Sequence, residues 1–144
     1  KISGTCVIKC SSIYETQPWG IFAQNDYLNS AIKIETSLSA EDLLKELKGI
    51  EIKLGRQENL KWSEREIDID LLFYGNEIIR KENMKVPHPQ IENRKFVLIP
   101  LNEIAPSLIH PVLKKSISEL LKETEDKLSV RKYQKDNADN FHWN

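Results

Sequence analysis

An α+β fold with a mainly antiparallel sheet and flanking helices is the class this sequence predicts, on three observations. Strand-like and helix-like segments do not alternate strictly, so the crossovers of a parallel sheet are not called for. Runs of β-branched residues are bounded by turn signals. One long segment carries a clear helical stripe.

Taken in order, CVIKCSSIYET (residues 6–16) reads as one strand ending near Thr16, and QPWGIFAQN (17–25) as a loop marked by Pro18 and Gly20 and carrying Trp19 and Phe22. DYLNSAIKIET (26–36) reads as the next strand, with Leu28, Ile32 and Ile34 on one face and Tyr27, Asn29 and Ala31 on the other, so Tyr27 and Asn29 point the same way. Ser39 then caps a helix, Asp42 completing a capping box, and Leu43, Leu44, Leu47, Ile50 and Leu54 form its apolar stripe until Gly55. After a polar loop, REIDIDLLFYG (65–75) reads as a strand whose alternation puts Asp68 and Asp70 on one face and Ile67, Ile69 and Leu71 on the core face. Gly75 and Asn76 mark a hairpin turn, followed by a proline-punctuated loop. FVLIPLNEIAP (96–106) packs inward, Ser116 with Glu119 caps a last helix, and a polar tail runs from 129 to 144. No repeat is visible, and residues 1–128 read as a single domain.

The composition limits what that domain does. With 144 residues, 40% hydrophobic and 30% charged, the chain fits one globular domain of ordinary size. Its 21 basic and 22 acidic side chains nearly cancel, so no broad electrostatic footprint points to nucleic acid or an anionic membrane. No apolar run approaches the roughly 20 residues of a membrane span and no signal-peptide pattern opens the chain, so a cytoplasmic protein is expected. Cys6 and Cys10 are spaced too far along a strand to bridge easily and lack histidine neighbours for a zinc site, so they read as two buried thiols.

The chemistry centres on Asp68 and Asp70. Two carboxylates two residues apart on one face are able to hold a hard divalent cation such as Mg²⁺, leaving positions for water and phosphate oxygens. The same pattern is also ordinary solvent-facing charge on a half-exposed strand. Arg56, Lys61, Arg65, His88, Arg94 and Lys95 surround the pair in loops or at element ends, a positive bias suited to a metal-bound polyphosphate. With five glycines and no G-x-x-x-x-G-K-[ST] stretch, no P-loop would cradle the phosphates. Trp19, Tyr27, Trp62 and Phe96 are either packing residues or platforms for a flat heteroaromatic ring, whose edge Asn29 could read.

The stretches KWSEREIDIDLLFYGNEII, VPHPQIENRKFVLIPLNEIAP, SSIYETQPWG and DYLNSAIKIET together resemble the 6-hydroxymethyl-7,8-dihydropterin pyrophosphokinase family, in register from about residue 6 to 121. The resemblance implies a ferredoxin-like α/β sandwich and an enzyme that moves pyrophosphate from ATP to a pterin alcohol and releases AMP. It implies two Mg²⁺ ions on Asp68 and Asp70, and polyphosphate contacts from Arg56, Arg65, His88 and Arg94, of which Arg56 and Arg65 join the aspartates as catalytic. Trp62 matches the tryptophan of a loop that closes over ATP. Tyr27 and Phe96 match the pair that sandwiches the pterin, Asn29 its hydrogen-bonding asparagine, and Thr16 and Trp19 loop positions whose backbone reads the ring's other edge. The implied partners are ATP and the pterin, with no nucleic acid and no membrane.

Some positions depart from the pattern: Ser63 stands where Gly or Ala is usual, Gln17 and Trp19 replace a proline and an aliphatic residue, and Asn83 and Lys85 differ near the nucleotide. The family also begins with a strand, a Gly-Ser-Asn turn and a helix not found in this chain. The expectation is therefore an N-terminally incomplete domain preceded by roughly 25 to 40 residues, by element-length norms, and a monomer unless a partner chain supplies the strand. Two other functions fit less of the sequence. One is another Mg²⁺-dependent nucleotide-using transferase, such as an Asp-x-Asp glycosyltransferase; the other is a catalytically silent α+β binding module.

Overall fold

Neither of the first two strand-like runs stays one strand. The computed structural model describes residues 2–17, 27–58 and 67–133, the side chains of Gln17 and of residues 56–58 excepted. The first run divides into β1 (Thr5–Cys10) and β2 (Tyr14–Gln17), and the second into β3 (Tyr27–Asn29) and β4 (Ile32–Thr36). The two breaks are tied together. Ser11 N–H donates to the Ala31 carbonyl at 2.8 Å, Ala31 N–H donates to Ser11 Oγ at 2.8 Å, and Ser11 Oγ donates to the Ser12 carbonyl at 2.7 Å. A serine side chain that bonds nearby backbone offers the chain an alternative to the ladder, and both runs take it at the same level. Each half then finds its own partner, β1 with β4 and β2 with β3.

The rest of the order is α1 (Ala40–Glu58), β5 (Ile79–Lys81), β6 (Met84–Val86), a short 3-10 turn at Ile91–Asn93, α2 (Lys95–Ile104), α3 (Ile117–Glu123) and β7 (Ser129–Lys132). The fold is α+β, and its strands pair antiparallel, in a two-stranded β1–β4 ribbon, a three-stranded β3–β2–β7 sheet and a two-stranded β5–β6 hairpin. The chain forms two compact units, Lys1–Cys6 with Ile34–Pro89, and Val7–Lys33 with Gln90–Asn144.

In the first unit, Ser37 N–H donates to the Gly4 carbonyl at 2.9 Å, where Gly4 takes φ +74°, open only to glycine at low cost. Ser39 caps α1 as expected, its Oγ accepting from Asp42 N–H at 3.1 Å. Leu43 is fully buried and Leu44, Leu47, Ile50 and Leu54 are half-buried, so the stripe holds. The helix, however, runs through Gly55 to Glu58. A glycine ends a helix when it turns left-handed, and among the described glycines only Gly4 and Gly75 have positive φ. Ala40, Met84 and Val86 are buried with Leu44, Leu71, Tyr74 and Ile79 against them, so α1, residues 71–74 and the β5–β6 hairpin share one small core. Gly75 makes the expected turn at φ +57°, Glu77 N–H reaching the Tyr74 carbonyl at 3.0 Å. The hairpin after it falls inside the stretch expected as a loop, since IRK and MKV are too short and too charged to announce strands.

Two expectations fail in this unit. Residues 67–74 belong to no strand, and Ile67 is exposed rather than a core anchor. Cys6 is free and exposed, as is Cys10 in the second unit, so neither is a buried thiol. On the two-stranded ribbon they lie on, every β1 residue from Cys6 to Cys10 is exposed, so neither face is covered there.

In the second unit β2 is the central strand. Tyr14, Glu15 and Thr16 lie opposite Asn29, Leu28 and Tyr27 on one side, and Lys132, Arg131 and Val130 on the other. The polar tail expected from residue 129 therefore begins as β7, a strand of the sheet. Residues 95–104 form α2, which packs on α3 and on β2, β3 and β7. Leu98, Leu101, Ile104, Ile117 and Leu120 are buried on these two helices. Ser116 and Glu119 make the expected capping box of α3 in both directions, at 3.1 and 2.9 Å.

Candidate active site

Of the candidate residues of the first unit, Asp68, Asp70 and His88 are described with their side chains, and they lie at or beside residues 67–72. Asp68 and Asp70 are exposed, and Ile69 between them is half-buried. Ile69 N–H donates to Glu51 Oε2 on α1, and the Leu72 carbonyl accepts from His88 N–H at 2.9 Å. His88 Nδ1 lies 2.9 Å from the Pro89 carbonyl. A carbonyl only accepts, so Nδ1 carries the proton and Nε2 is the nitrogen turned toward Asp70, 4.0 Å from its Oδ1. His88 thus stands beside the acidic pair as expected. Arg56 lies in the last turn of α1, its side chain beyond description. Trp62 and Arg65 lie outside the described residues, as does Trp19.

In the second unit, opposed residues of an antiparallel pair share a face, so Tyr14, Thr16, Tyr27 and Asn29 all lie on one side of the sheet. Tyr14 reaches Glu103 of α2 from that side, its hydroxyl donating to Oε1 at 2.7 Å. The same carboxylate accepts from Ser12 N–H and Ser12 Oγ, each at 3.0 Å. Burial first, and then the Glu103 carboxylate, push the Tyr14 phenol up to about 12. The Tyr14 hydrogen bond, followed by those from Ser12, holds the Glu103 carboxyl below its ordinary range. These contacts seat α2 over the face that carries Tyr27 and Asn29. Phe96 belongs to the first turn of α2, and the Arg94 guanidinium carbon lies 6.0 Å from its ring centroid, in cation–π range. Arg94 N-caps the helix without a side-chain cap, and Lys95 N–H turns to Asp126 Oδ2 at 2.9 Å.

Tyr27, on β3 at one edge of the sheet among the described residues, is 64% exposed and so not a core residue. Thr16 lies in β2, one residue before its end, as the strand reading expects and not at the loop position the resemblance implies, and it is 3% exposed. Its Oγ1 has no partner among the described residues.

Two residues escaped the sequence reading. Glu51 lies four residues after Leu47 in the apolar stripe of α1, and Glu103 interrupts an apolar run. For Glu51, a carboxylate where the helical period calls for an apolar side chain was the available signal, whereas Glu103, exposed and off the Leu98, Leu101 and Ile104 face of α2, carried none.

Two exposed carboxylates beside an imidazole suit a divalent cation carrying phosphate oxygens, and an exposed aromatic with an amide on the same strand suits a flat polar ring. These are features that a transferase of phosphate groups to a heteroaromatic acceptor would use. The model of the 7,8-dihydro-6-hydroxymethylpterin-pyrophosphokinase (HPPK) family matches residues 1–106. The chain is 46% identical over 111 residues to the 2-amino-4-hydroxy-6-hydroxymethyldihydropteridine pyrophosphokinase of Aquifex aeolicus, covering 77% of this chain and 69% of that protein. It is 43% identical over 131 residues to the protein of the same name from Haemophilus influenzae, covering 91% and 81%. A folic acid synthesis protein of Pneumocystis carinii is 41% identical over 87% of this chain and 17% of its own length. The chain belongs to the HPPK family.

Among the described residues no group of three or more His, Cys, Asp and Glu side chains is placed to hold a metal ion. The donor set nonetheless fits Mg²⁺. That ion takes hard oxygen ligands, is commonly held by one or two carboxylates, and draws its remaining ligands from water and phosphate. Asp68 and Asp70 offer those oxygens to solvent.

Proposed function

We propose that this chain transfers the pyrophosphoryl group of ATP to the hydroxymethyl group of 6-hydroxymethyl-7,8-dihydropterin and releases AMP, using two Mg²⁺ ions. The observation that carries this reading is that the single family match over residues 1–106 contains every candidate residue.

Asp68 and Asp70 would hold the metal. Bound Mg²⁺ supplies neutralisation of charge on the phosphate oxygens. Arg56, Arg65, His88 and Arg94 are the chain's own contribution on the polyphosphate, and Trp62 lies against the nucleotide. Tyr27 and Phe96 stack on the two faces of the pterin, Asn29 pairs with its edge, and Thr16 and Trp19 reach the opposite edge. The transfer requires the hydroxymethyl oxygen in line with the β-phosphorus. That oxygen forms the new O–P bond, the bond from the β-phosphorus to the oxygen bridging the α-phosphorus breaks, and its electron pair leaves on AMP. The hydroxyl proton passes to solvent, so no side-chain base is assigned. Positioning and charge neutralisation carry most of such a transfer. A monomer acting in the cytoplasm, without nucleic acid or membrane, belongs to the same proposal. The balance of 21 basic and 22 acidic side chains supports it, and no helix among the described residues is long and apolar enough to cross a membrane.

The test is to incubate the protein with ATP, Mg²⁺ and the hydroxymethyl pterin and to measure AMP. AMP that forms only when the pterin is present is the expected result. ATP turnover indifferent to the pterin, or no AMP at all from the full-length protein, overturns the reading.

A further inference from the structure

We propose that Glu51 is a positioning residue, a carboxylate on α1 that holds the backbone between Asp68 and Asp70 so that both side chains are presented together to the metal. The inference deepens the proposed function and rests on it for the identity of the metal site.

The argument begins with what the Asp68–Asp70 stretch lacks. A carboxylate pair on a strand is fixed by the ladder hydrogen bonds on either side, but residues 67–74 belong to no strand. Among the described residues, Ile69 N–H donates to Glu51, the Leu72 carbonyl accepts from His88 N–H, and the Tyr74 carbonyl accepts from Glu77 N–H at the turn. Only the first lies between the aspartates. Fixing Ile69 N–H fixes the peptide plane that follows Asp68 and the direction in which the chain enters Asp70. It also turns the half-buried Ile69 side chain inward while its neighbours face solvent.

Glu51 is built for this contact. It lies in line with Leu47 and Leu54 in the apolar stripe, where burial of a lone carboxylate is unfavourable, while Ile52 beside it is 52% exposed. Its side chain is only 16% exposed, and Lys48 Nζ stands 3.4 Å from its other oxygen. The pair with Lys48 is not reason enough for the placement, because the Lys48 side chain is 52% exposed and such exposed pairs contribute little. The hydrogen bond joins a backbone N–H to a side-chain oxygen, a restraint that the amide oxygen of a glutamine also supplies. Residues that orient metal ligands without touching the metal commonly matter about ten- to a hundredfold in metal affinity or activity.

Three substitutions separate the roles. Glu51→Gln keeps an acceptor oxygen at the same reach and removes the charge; Glu51→Asp keeps the charge and withdraws the oxygen by one methylene; Glu51→Ala removes both. Two readouts do not depend on turnover. One is the exchange rate of the Ile69 amide in metal-free protein by NMR; the other is Mn²⁺ binding, titrated by electron paramagnetic resonance with a non-hydrolysable ATP analogue present. Glu51→Gln is expected to keep both within about threefold of wild type, while Glu51→Asp and Glu51→Ala expose the Ile69 amide and weaken Mn²⁺ binding by about tenfold or more. In turnover, the Mg²⁺ concentration for half-maximal rate rises in the latter two while the KM for pterin holds. The proposal is overturned if Glu51→Asp behaves as wild type while Glu51→Gln does not, which would make Glu51 a charge rather than an acceptor. It is equally overturned if the amide loosens without any loss of Mn²⁺. Should Glu51→Ala fail to fold, the Gln and Asp pair decides alone. A wild-type protein that makes no pterin-dependent AMP defeats the proposed function, while the amide and Mn²⁺ measurements still judge Glu51.

Discussion

The two groups of candidate residues are held in opposite ways. In the second unit, Thr16 lies on a strand bonded on both sides, Tyr27 and Asn29 lie on its neighbour, and Phe96 starts a helix that packs on that sheet. In the first unit, Asp68 and Asp70 lie on a stretch outside any ladder, tied down by a glutamate and a histidine backbone. A flat ring needs a rigid platform, and regular structure provides one through many weak restraints. Metal ligands have to adjust to ions and phosphates as these arrive, and a stretch with few restraints allows that while leaving its geometry dependent on single side chains.

The comparison is broken most directly at the carboxylates proposed to hold the metal. Asp68→Ala or Asp70→Ala should lower kcat/KM by more than about a hundredfold, since a lost metal ligand removes several kcal/mol of transition-state stabilisation. Steady-state AMP release measures it, and survival within tenfold would make the pair ordinary surface charge. Next in size, Phe96→Ala or Tyr27→Ala should weaken pterin binding by about ten- to a hundredfold, the scale of one lost stacking contact. Calorimetric titration with the pterin reads this, and the chain's melting temperature should change little for Tyr27, which is mostly exposed.

Smaller effects probe the platform itself. Tyr14→Phe should cost the fold about 1–3 kcal/mol by leaving Glu103 with one partner fewer, as seen in a denaturant titration. The sign with pH follows from the phenol being raised from 10.0 to about 12 in the folded state. Its contribution is fully present below the unfolded value and is lost as pH climbs through the folded one. Wild type should therefore lose stability relative to Tyr14→Phe between about pH 10 and 12. Glu103 works the other way, its lowered carboxyl adding stability that disappears as pH falls through its folded value. Smallest is Ser116→Ala, expected to cost about 1 kcal/mol through loss of the α3 cap. Amide exchange sharpens the contrast: β2 amides should exchange far more slowly than those of residues 67–71, and equal rates would erase the distinction between the two regions.

The legible parts of the sequence were those written in local chemistry. Ser39, Gly75 and the Ser116–Glu119 pair each mark an end or a turn through a bond to their own neighbourhood, and each stands where expected. The α1 stripe was legible for the same reason. What depends on distant partners was not. Nothing in CVIKCSSIYET says that its halves pair with different strands, because the break is made by Ser11 and Ala31 finding each other. SVRK looks like tail until β2 supplies a ladder for it. Ile67 obeys strand alternation in a segment that makes no strand, so the pattern placed it in a core where the structure leaves it exposed. Of the candidate site, the nearness of His88 to Asp70 and the shared face of Tyr27 and Asn29 were readable, whereas the Glu51 contact was masked by the helix period around it.

The place of β7 has a consequence for how the protein is made. Glu15 and Arg131, joined across the β2–β7 ladder with Nε and Oε1 at 3.0 Å, are 116 residues apart in the chain. The first unit, by contrast, is built largely from the continuous stretch Ile34–Pro89. As the chain leaves the ribosome, the acidic region has its partners early, but the sheet beneath the aromatic residues waits for nearly the last of the described residues. Such long-range pairing is the slow step in forming a fold. During synthesis β2 stands with one edge open until β7 arrives to close it.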